Sequence, residues 1–153
     1  MTRLTAHYDL EEFRCRKGMD SCPHCGGLVP PREKALALAQ RLELLRADLD
    51  YPLWIISGLR CEARNEELIR YHLATKASRH LPQFADAVDV AIPGDANNMI
   101  VAAIRAAARG FSGVGYKVPF LSRDGKWVTG FLHLDLNPDS APPERKIRVW
   151  AYK

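Results

Sequence analysis

The most constraining feature of this sequence is the presence of ionisable side chains inside two short apolar segments. Asp89 lies in the run AVDV, which ends at Val90, and His133 lies in FLHLDL, which spans residues 131–136. Burying such groups costs free energy unless each one has a partner. Together with His80, which precedes the first run, they form three protein ligands with one open coordination position, the donor set of a catalytic zinc. Strand residues that are simply hydrogen-bonded, without a metal, are the alternative.

Alternation along the two predicted strands separates core-facing side chains from those that face a site. Successive side chains of a strand point to opposite faces of the sheet. In the strand predicted over 85–92, Asp89 shares its face with small alanines, while the valine face enters the core. Asp86 falls on the valine face at the start of the strand, and we expect it to be a solvated end residue. In the later strand His133 and Asp135 share one face, and the leucines share the other.

The remaining pattern predicts an α+β fold, because helices mostly precede strands along the chain. Apolar residues at three- and four-residue spacing follow a proline pair and predict a helix over 32–49. Further helical segments are predicted over 9–13, 62–74 and 97–109. Strands are predicted over 52–57, 85–92, 113–121, 127–136 and 147–152, the last at an edge. We expect one domain over residues 1–153, in which a small antiparallel sheet packs against the helices.

Length and charge narrow the classes of function without choosing one. The chain has 153 residues and a formal net charge of +4. That charge suits an anionic partner such as a cell-wall polymer or nucleic acid, or is simply a basic surface. No apolar run approaches the roughly 20 residues of a membrane span, and the first residues lack the apolar segment of a secretory signal. We therefore expect a monomer that is made in the cytoplasm without a signal peptide and does not enter membranes.

A cluster of cysteines forms a separate candidate site in a loop over residues 15–27. Cys22 and Cys25 have the C-x-x-C spacing of a structural zinc knuckle, and Cys15 adds a third sulfur. Cys61, His24 or His7 would supply the fourth ligand. Two alternatives stay open: free thiols in a reducing cytosol, or a disulfide between Cys15 and Cys22 in an exported protein.

Four sequence elements together resemble the M15 zinc peptidases, the D-alanyl-D-alanine carboxypeptidases and cell-wall endopeptidases with the Hedgehog/DD-peptidase fold. The pattern S-x-H at 78–80 is followed by A-V-D at 87–89 and then by H-x-D at 133–135. The segment ISGLRCEARN over 56–65 is similar to the family element S-G-Y-R-x-x-x-x-N. The segment DLEEFRC over 9–15 resembles the start of small single-domain members, which are often phage-associated.

The resemblance implies that His80, Asp89 and His133 hold a catalytic zinc ion, with water in the fourth position. The family pattern S-x-H-x-x-G-x-A-x-D is two residues shorter between the first two ligands than this chain. Aligning its end on A-V-D keeps Asp89 as the ligand and places the extra residues in the preceding loop. Ala85 then stands where the family has glycine.

The resemblance also implies roles for residues around the metal. Arg60 corresponds to the arginine of S-G-Y-R, which faces the substrate and the developing oxyanion, and Ser78 bonds the substrate or the ligand shell. Many members carry a carboxylate three residues before the last ligand histidine, where this chain has Gly130. The general base is therefore Asp135, unless Asp135 only orients a ligand. Carboxylates from other segments remain as alternatives, namely Asp139 and Glu62.

The leading hypothesis is a zinc metallopeptidase that cleaves peptide stems or cross-links of peptidoglycan. The missing signal would be explained by a phage-type lysis enzyme that reaches the wall on release. A non-catalytic member that only binds wall peptides is an alternative, because the upstream carboxylate is absent. A zinc-stabilised nucleic-acid-binding module ranks below both, since no aromatic-basic stripe accompanies the cysteines.

Overall fold

A five-stranded sheet and three α-helices form the fold of this chain in a computed structural model, which describes residues 3–121, 123–137 and 148–152. The helices are α1 (Arg32–Leu49), α2 (Glu62–Arg70) and α3 (Ala96–Ala108), preceded by a 3-10 helix at Leu10–Phe13. The strands are β1 (Arg16–Lys17), β2 (Asp20–Ser21), β3 (Trp54–Ser57), β4 (Ala87–Ala91), β5 (Gly113–Lys117), β6 (Phe120–Leu121), β7 (Trp127–Val128), β8 (Phe131–Asp135) and β9 (Arg148–Ala151). The predicted α+β class is confirmed.

The main sheet has the strand order β3-β4-β8-β5-β9. Its first three neighbouring pairs are antiparallel, whereas β9 runs parallel to β5. The sheet is therefore mixed at one edge, where the sequence predicted an antiparallel sheet throughout. The other two pairs, β1 with β2 and β6 with β7, are short antiparallel hairpins outside this sheet.

One face of the main sheet carries the hydrophobic core. Alternate residues of β4 and β8 project from this face and are buried against α1 and α3, as strand parity predicts. On the strands these residues are Val88, Val90, Val114, Leu132 and Leu134, and on the helices they include Leu38, Leu42, Met99 and Ala102. Helices cover this face, so the opposite face of the sheet is left for a site.

The helices follow the predicted boundaries, with one exception. Helix α1 matches the predicted range, and α3 is capped by the Asp95 carboxylate, which accepts hydrogen bonds from the amides of Asn97 and Asn98. Helix α2 ends four residues before the predicted end at 74. His72 takes a left-handed conformation with φ +57°, and the amide of Leu73 donates to the carbonyl of Leu68. This hydrogen bond closes the helix, with His72 in the left-handed position that glycine usually occupies.

The two long strands predicted over 113–121 and 127–136 are each divided. The inner halves pair in the main sheet and the outer halves form the separate hairpin of β6 and β7. Gly130 lies at the division, where a Cβ atom would collide with the Lys117 carbonyl.

In the part of the chain that is described, no helix combines the length and apolar character needed to cross a membrane.

Candidate active site

A row of side chains crosses the uncovered face of the sheet. Asp89 on β4 stands directly opposite Ser57 on β3 and His133 on β8. The row continues from His133 to Gly115 on β5 and from there to Trp150 on β9. Cross-strand neighbours lie about 5 Å apart, so the register of β4 and β8 brings together an aspartate and a histidine that are 44 residues apart in sequence.

His80 completes a cluster of three donor atoms, which we call the His–Asp–His cluster. Its Nε2 atom lies 3.1 Å from His133 Nδ1 and 3.2 Å from Asp89 Oδ1, and His133 Nδ1 lies 2.9 Å from the same oxygen. A tetrahedral zinc with ligand bonds near 2.1 Å separates its donors by about 3.4 Å. The donor spacing and the nitrogen–oxygen donor set therefore fit a zinc ion.

The ring nitrogens that face away from the cluster are also bonded, which fixes both imidazoles. His80 Nδ1 lies 2.6 Å from the Gly58 carbonyl oxygen and donates its hydrogen to it. His133 Nε2 lies 3.3 Å from Asp135 Oδ2, and the Asp135 Oδ1 atom accepts a hydrogen bond from the amide of Asn137. Such outer bonds select the tautomer that presents the remaining nitrogen to a metal.

Buried neighbours set the charges in this cluster. Burial opposes ionisation of Asp89, but His80, Arg60 and His133 outweigh it and hold the pKa of Asp89 well below its usual range. Burial lowers the pKa of His80. It also disfavours charged His133, yet hydrogen bonds to Asp135 and Asp89 raise the pKa of His133 to about 9. The cluster thus presents an ionised carboxylate, as a metal ligand must be.

Arg60 and Ser78 both lie beside the cluster. The Nη2 atom of Arg60 bonds Asp89 Oδ2 at 2.5 Å, and its Nε donates to Ser57 Oγ at 3.1 Å. Arg60 also lines the cavity in front of the cluster. The Ser78 hydroxyl accepts a hydrogen bond from the His80 amide at 3.4 Å. Arg60 therefore contacts a predicted ligand directly, and Ser78 contacts the backbone of another.

The loop between His80 and Asp89 corrects one prediction. Asp86 is buried, because the Arg79 guanidinium folds over it and bonds both carboxylate oxygens, while stacking 4.1 Å from the Phe84 ring. The expectation of a solvated end residue was wrong, since it ignored what the loop brings. Ala85 has φ +51°, a left-handed conformation that explains why glycine suits this position.

Beyond the cluster itself, Asp135 is the described carboxylate that lines the cavity. Gly130 has no room for a side chain on this backbone. Glu62 lines a different cavity, next to residues of α2, and Asp139 lies outside the described residues. Among the described carboxylates, only Asp89 and Asp135 line the cavity in front of the cluster. Asp135 is buried behind the His133 ring, which suits an orienting role.

The cluster opens into a cavity of about 450 Å³. Its wall combines cationic, aromatic and small polar side chains, which include Arg60, Arg79, Lys117, Phe131, Trp150, Tyr152 and Thr75. A pocket of this size accommodates a short peptide segment or a small molecule. The side of the cluster that faces the cavity is where a fourth ligand and a substrate would enter.

Two aromatic residues and two glycines of the site were not predicted from the sequence. The Trp150 ring lies 5.5 Å from the His133 ring and 6.1 Å from the Tyr152 ring. Trp150 fills the space that a side chain at Gly115 would need, and Asp135 fills the space at Gly113. The available signal was the G-x-G pattern inside a strand, which indicates close approach of another group.

The four cysteines also come together, at a separate place that we call the cysteine cluster. Cys15, Cys22, Cys25 and Cys61 have sulfur atoms within 4.8 Å of one another. No disulfide joins these four cysteines, so the predicted alternative of a bridge between Cys15 and Cys22 is not present. The two histidines that were considered as fourth ligands lie elsewhere: His24 is next to Glu67, and His7 is bonded to Glu43.

Comparison with known proteins adds one finding. A family model described as Peptidase M15 matches residues 6–121. This range includes Arg60, Ser78, His80 and Asp89, whereas His133 lies beyond its end and joins the cluster through strand register alone. No curated protein and no solved structure is significantly similar to the chain.

Proposed function

Because this chain belongs to the M15 peptidase family, we propose that it is a zinc-dependent peptidase that cleaves peptide stems or cross-links of bacterial peptidoglycan. The observation that carries the proposal is the convergence of the His80, Asp89 and His133 donors on one point at the base of an open cavity. Three protein ligands with one open side are the arrangement of a hydrolytic zinc rather than a structural one.

A zinc ion held by His80 Nε2, Asp89 and His133 Nδ1 would supply Lewis acidity and a water of lowered pKa. The protein groups around it have separate tasks. Asp135 and the Gly58 carbonyl keep the two imidazoles in their ligand tautomers through the bonds described above. Asp135 is therefore proposed as a positioning residue, rather than as the group that takes the proton.

Arg60 is proposed to bind the substrate and the developing oxyanion. Its guanidinium lies at the boundary between the ligand Asp89 and the cavity, and its side chain is 13% exposed. A fixed cation in a largely buried position stabilises negative charge far better than one in water. Lys117 adds positive charge to the cavity wall, which suits the carboxylates of wall peptides, whereas the charge of Arg79 is balanced by Asp86.

The proposal is tested by measuring zinc content and the release of soluble peptides from purified peptidoglycan. His80→Ala should lose zinc from this site and abolish release, since a donor at the centre of the cluster is missing. His7→Ala is the matched control, because it removes an exposed histidine whose ring bonds only Glu43 among the contacts described. Release by His80→Ala at the wild-type rate would refute the proposal.

A non-catalytic wall-binding protein is the second candidate, and Gly130 is the observation that favours it. The side chain that many family members place at this position is missing, and the backbone leaves no space for one. This candidate predicts that the wild-type protein sediments with purified peptidoglycan in the presence of zinc while releasing no peptide from it.

A further inference from the structure

The cysteine cluster gathers sulfur atoms from three separate parts of the chain. Cys15 follows the 3-10 helix, Cys22 and Cys25 lie in the turn after β2, and Cys61 directly precedes α2. The turn is closed by hydrogen bonds from the amides of Cys25 and Gly26 to the Cys22 carbonyl. The buried cluster where these segments meet consists of the cysteines themselves, so a group that links their sulfurs would account for their common position.

We infer that the four sulfurs bind a second zinc ion, in a site that is structural and separate from the His–Asp–His cluster. A tetrahedral zinc with bonds near 2.3 Å to sulfur separates its ligands by about 3.8 Å. The sulfurs of Cys22 and Cys61 are 3.8 Å apart, and all four lie within 4.8 Å of one another. A disulfide needs about 2.05 Å, so the spacing fits a shared ion and not a covalent bond.

Backbone amides point at two of the sulfurs. The amide of Cys61 donates to Cys15 Sγ at 3.3 Å, and the amide of Leu28 donates to Cys25 Sγ at 3.4 Å. Hydrogen bonds of this kind stabilise thiolates and orient them toward a metal. The polypeptide therefore supplies the outer contacts of the site as well as its ligands.

Burial and donor count distinguish this site from the catalytic one. Cys15 and Cys22 are 0% and 1% exposed, Cys61 is 9% exposed, and only Cys25 is reached more freely by solvent. Four protein sulfurs complete a tetrahedron and leave no position for water or substrate. The ion would act in folding, because it would join three segments whose common buried cluster contains only the cysteines.

The cysteine site also reaches the catalytic centre through one loop. Cys61 follows Arg60 directly, and Gly58 in the same loop carries the carbonyl that accepts the His80 hydrogen bond. The loop packs on the segment before Cys15, where the amide of Leu59 donates to the Phe13 carbonyl. If the proposed function holds, the second ion fixes the loop that carries the substrate-binding arginine.

Counting metal in the purified full-length protein provides the first test. We expect two zinc equivalents in the wild type, one in the double variant His80→Ala/His133→Ala, and one in the double variant Cys22→Ser/Cys25→Ser. Met19→Ser is the matched control for the serine changes, because Met19 lies in the same segment and is 85% exposed. It should keep both equivalents.

Cobalt substitution tests the same inference without disturbing the cysteines. Thiolate ligands give cobalt(II) intense charge-transfer absorption in the near ultraviolet, which nitrogen and oxygen ligands do not. The cobalt-loaded His80→Ala/His133→Ala variant should keep this absorption in full. The inference would be overturned if the His80→Ala/His133→Ala variant binds no metal, or if its cobalt form lacks the thiolate absorption. Neither measurement uses hydrolysis, so a protein that fails to cleave peptidoglycan would refute the proposed function and leave this inference standing.

Discussion

The His–Asp–His cluster and the cysteine cluster gather donors from distant segments in the same manner, but their surroundings differ. The first lies on a five-stranded sheet whose other face is packed against two helices, and it opens into a cavity. The second joins two short hairpin strands and the start of α2, and its sulfurs are mostly buried. An independently stable support permits an incomplete, reactive site, whereas in our proposal the cysteine cluster supplies a complete set of ligands because the chain around it has less support of its own.

The largest expected difference between the two clusters is in stability. Cys22→Ser should lower the free energy of unfolding by about 4 kcal/mol or more, the contribution of a ligand present at about a thousand times its Kd. His133→Ala should cost less, about 2 kcal/mol, the contribution of a ligand present at about 30 times its Kd, because a site with three protein ligands binds its ion less tightly than a site with four. Chemical denaturation of both variants in zinc-containing buffer measures the two values. Equal costs, or the reverse order, would contradict the comparison.

Arg60 lies between the two clusters, and its replacement affects only one of them in our account. Arg60→Lys keeps the charge but loses the planar fork that bonds Asp89 and Ser57. We expect kcat/KM for wall peptides to fall about 100-fold, while both zinc equivalents remain. Arg64→Lys, a change four residues further on in α2 where the side chain pairs with Glu67, should leave hydrolysis unchanged. Loss of zinc from Arg60→Lys would assign this arginine to the ligand shell instead.

Asp135 tests how far the His–Asp–His cluster depends on a hydrogen bond from outside its ligand set. Asp135→Asn removes the charge that holds His133 Nε2–H, and such outer-shell changes typically cost about 10- to 100-fold in metal affinity or activity. Because Asp135 helps to raise the pKa of His133 to about 9, the variant should also release less than the wild-type amount of protons when zinc binds at pH 7. Calorimetry in buffers of different ionisation enthalpy measures this release. Unchanged affinity and proton release, together with lost hydrolysis, would make Asp135 the general base.

The smallest expected effect concerns an ion pair beside the cysteine cluster. Lys17 and Arg64 donate hydrogen bonds to Glu67 and lower its pKa from 4.5 to about 2. A carboxylate whose pKa is lowered in the folded protein stabilises the fold at pH values above its pKa in the unfolded chain. This contribution is lost as the pH falls through the folded pKa of about 2. Glu67→Gln should therefore reduce the Tm slightly at pH 7 and by less at pH 2. Glu66→Gln, on an exposed position of the same helix, is the control.

If Glu67→Gln destabilised the protein as much as Cys22→Ser does, surface charge would be the main interaction that stabilises this region. Exposed ion pairs contribute little in general, since solvent screens them and two long side chains must be ordered. The expected ranking therefore tests whether sulfur ligation, and not the neighbouring ion pair, fixes the hairpin of β1 and β2 against α2.

Much of the fold and the centre of the site follow from local pattern. The apolar spacing of α1 predicts its full length, because one helix face is buried along all of it. Strand parity predicts that Asp89, His133 and Asp135 share a face, since the side-chain period of a strand is two. These residues are found where parity places them, with His80 above them.

Other features depend on contacts that no local pattern contains. Asp86 is buried because Arg79 reaches back over it, and this requires the conformation of a loop with a left-handed residue at Ala85. The parallel pairing of β9 with β5 brings Trp150 next to His133 from a strand whose sequence only indicates an edge. Such features arise from tertiary packing, which overrides or extends what propensity predicts.

Back-titration of metal-free protein with zinc, followed by the release of peptides from purified peptidoglycan, tests the central claim most directly. We predict that wild-type protein stripped of metal is inactive, that activity returns once the His–Asp–His cluster is filled, and that His133→Ala stays inactive at every zinc concentration. Peptide release by the stripped wild-type protein, or by His133→Ala at the wild-type rate, would contradict the account.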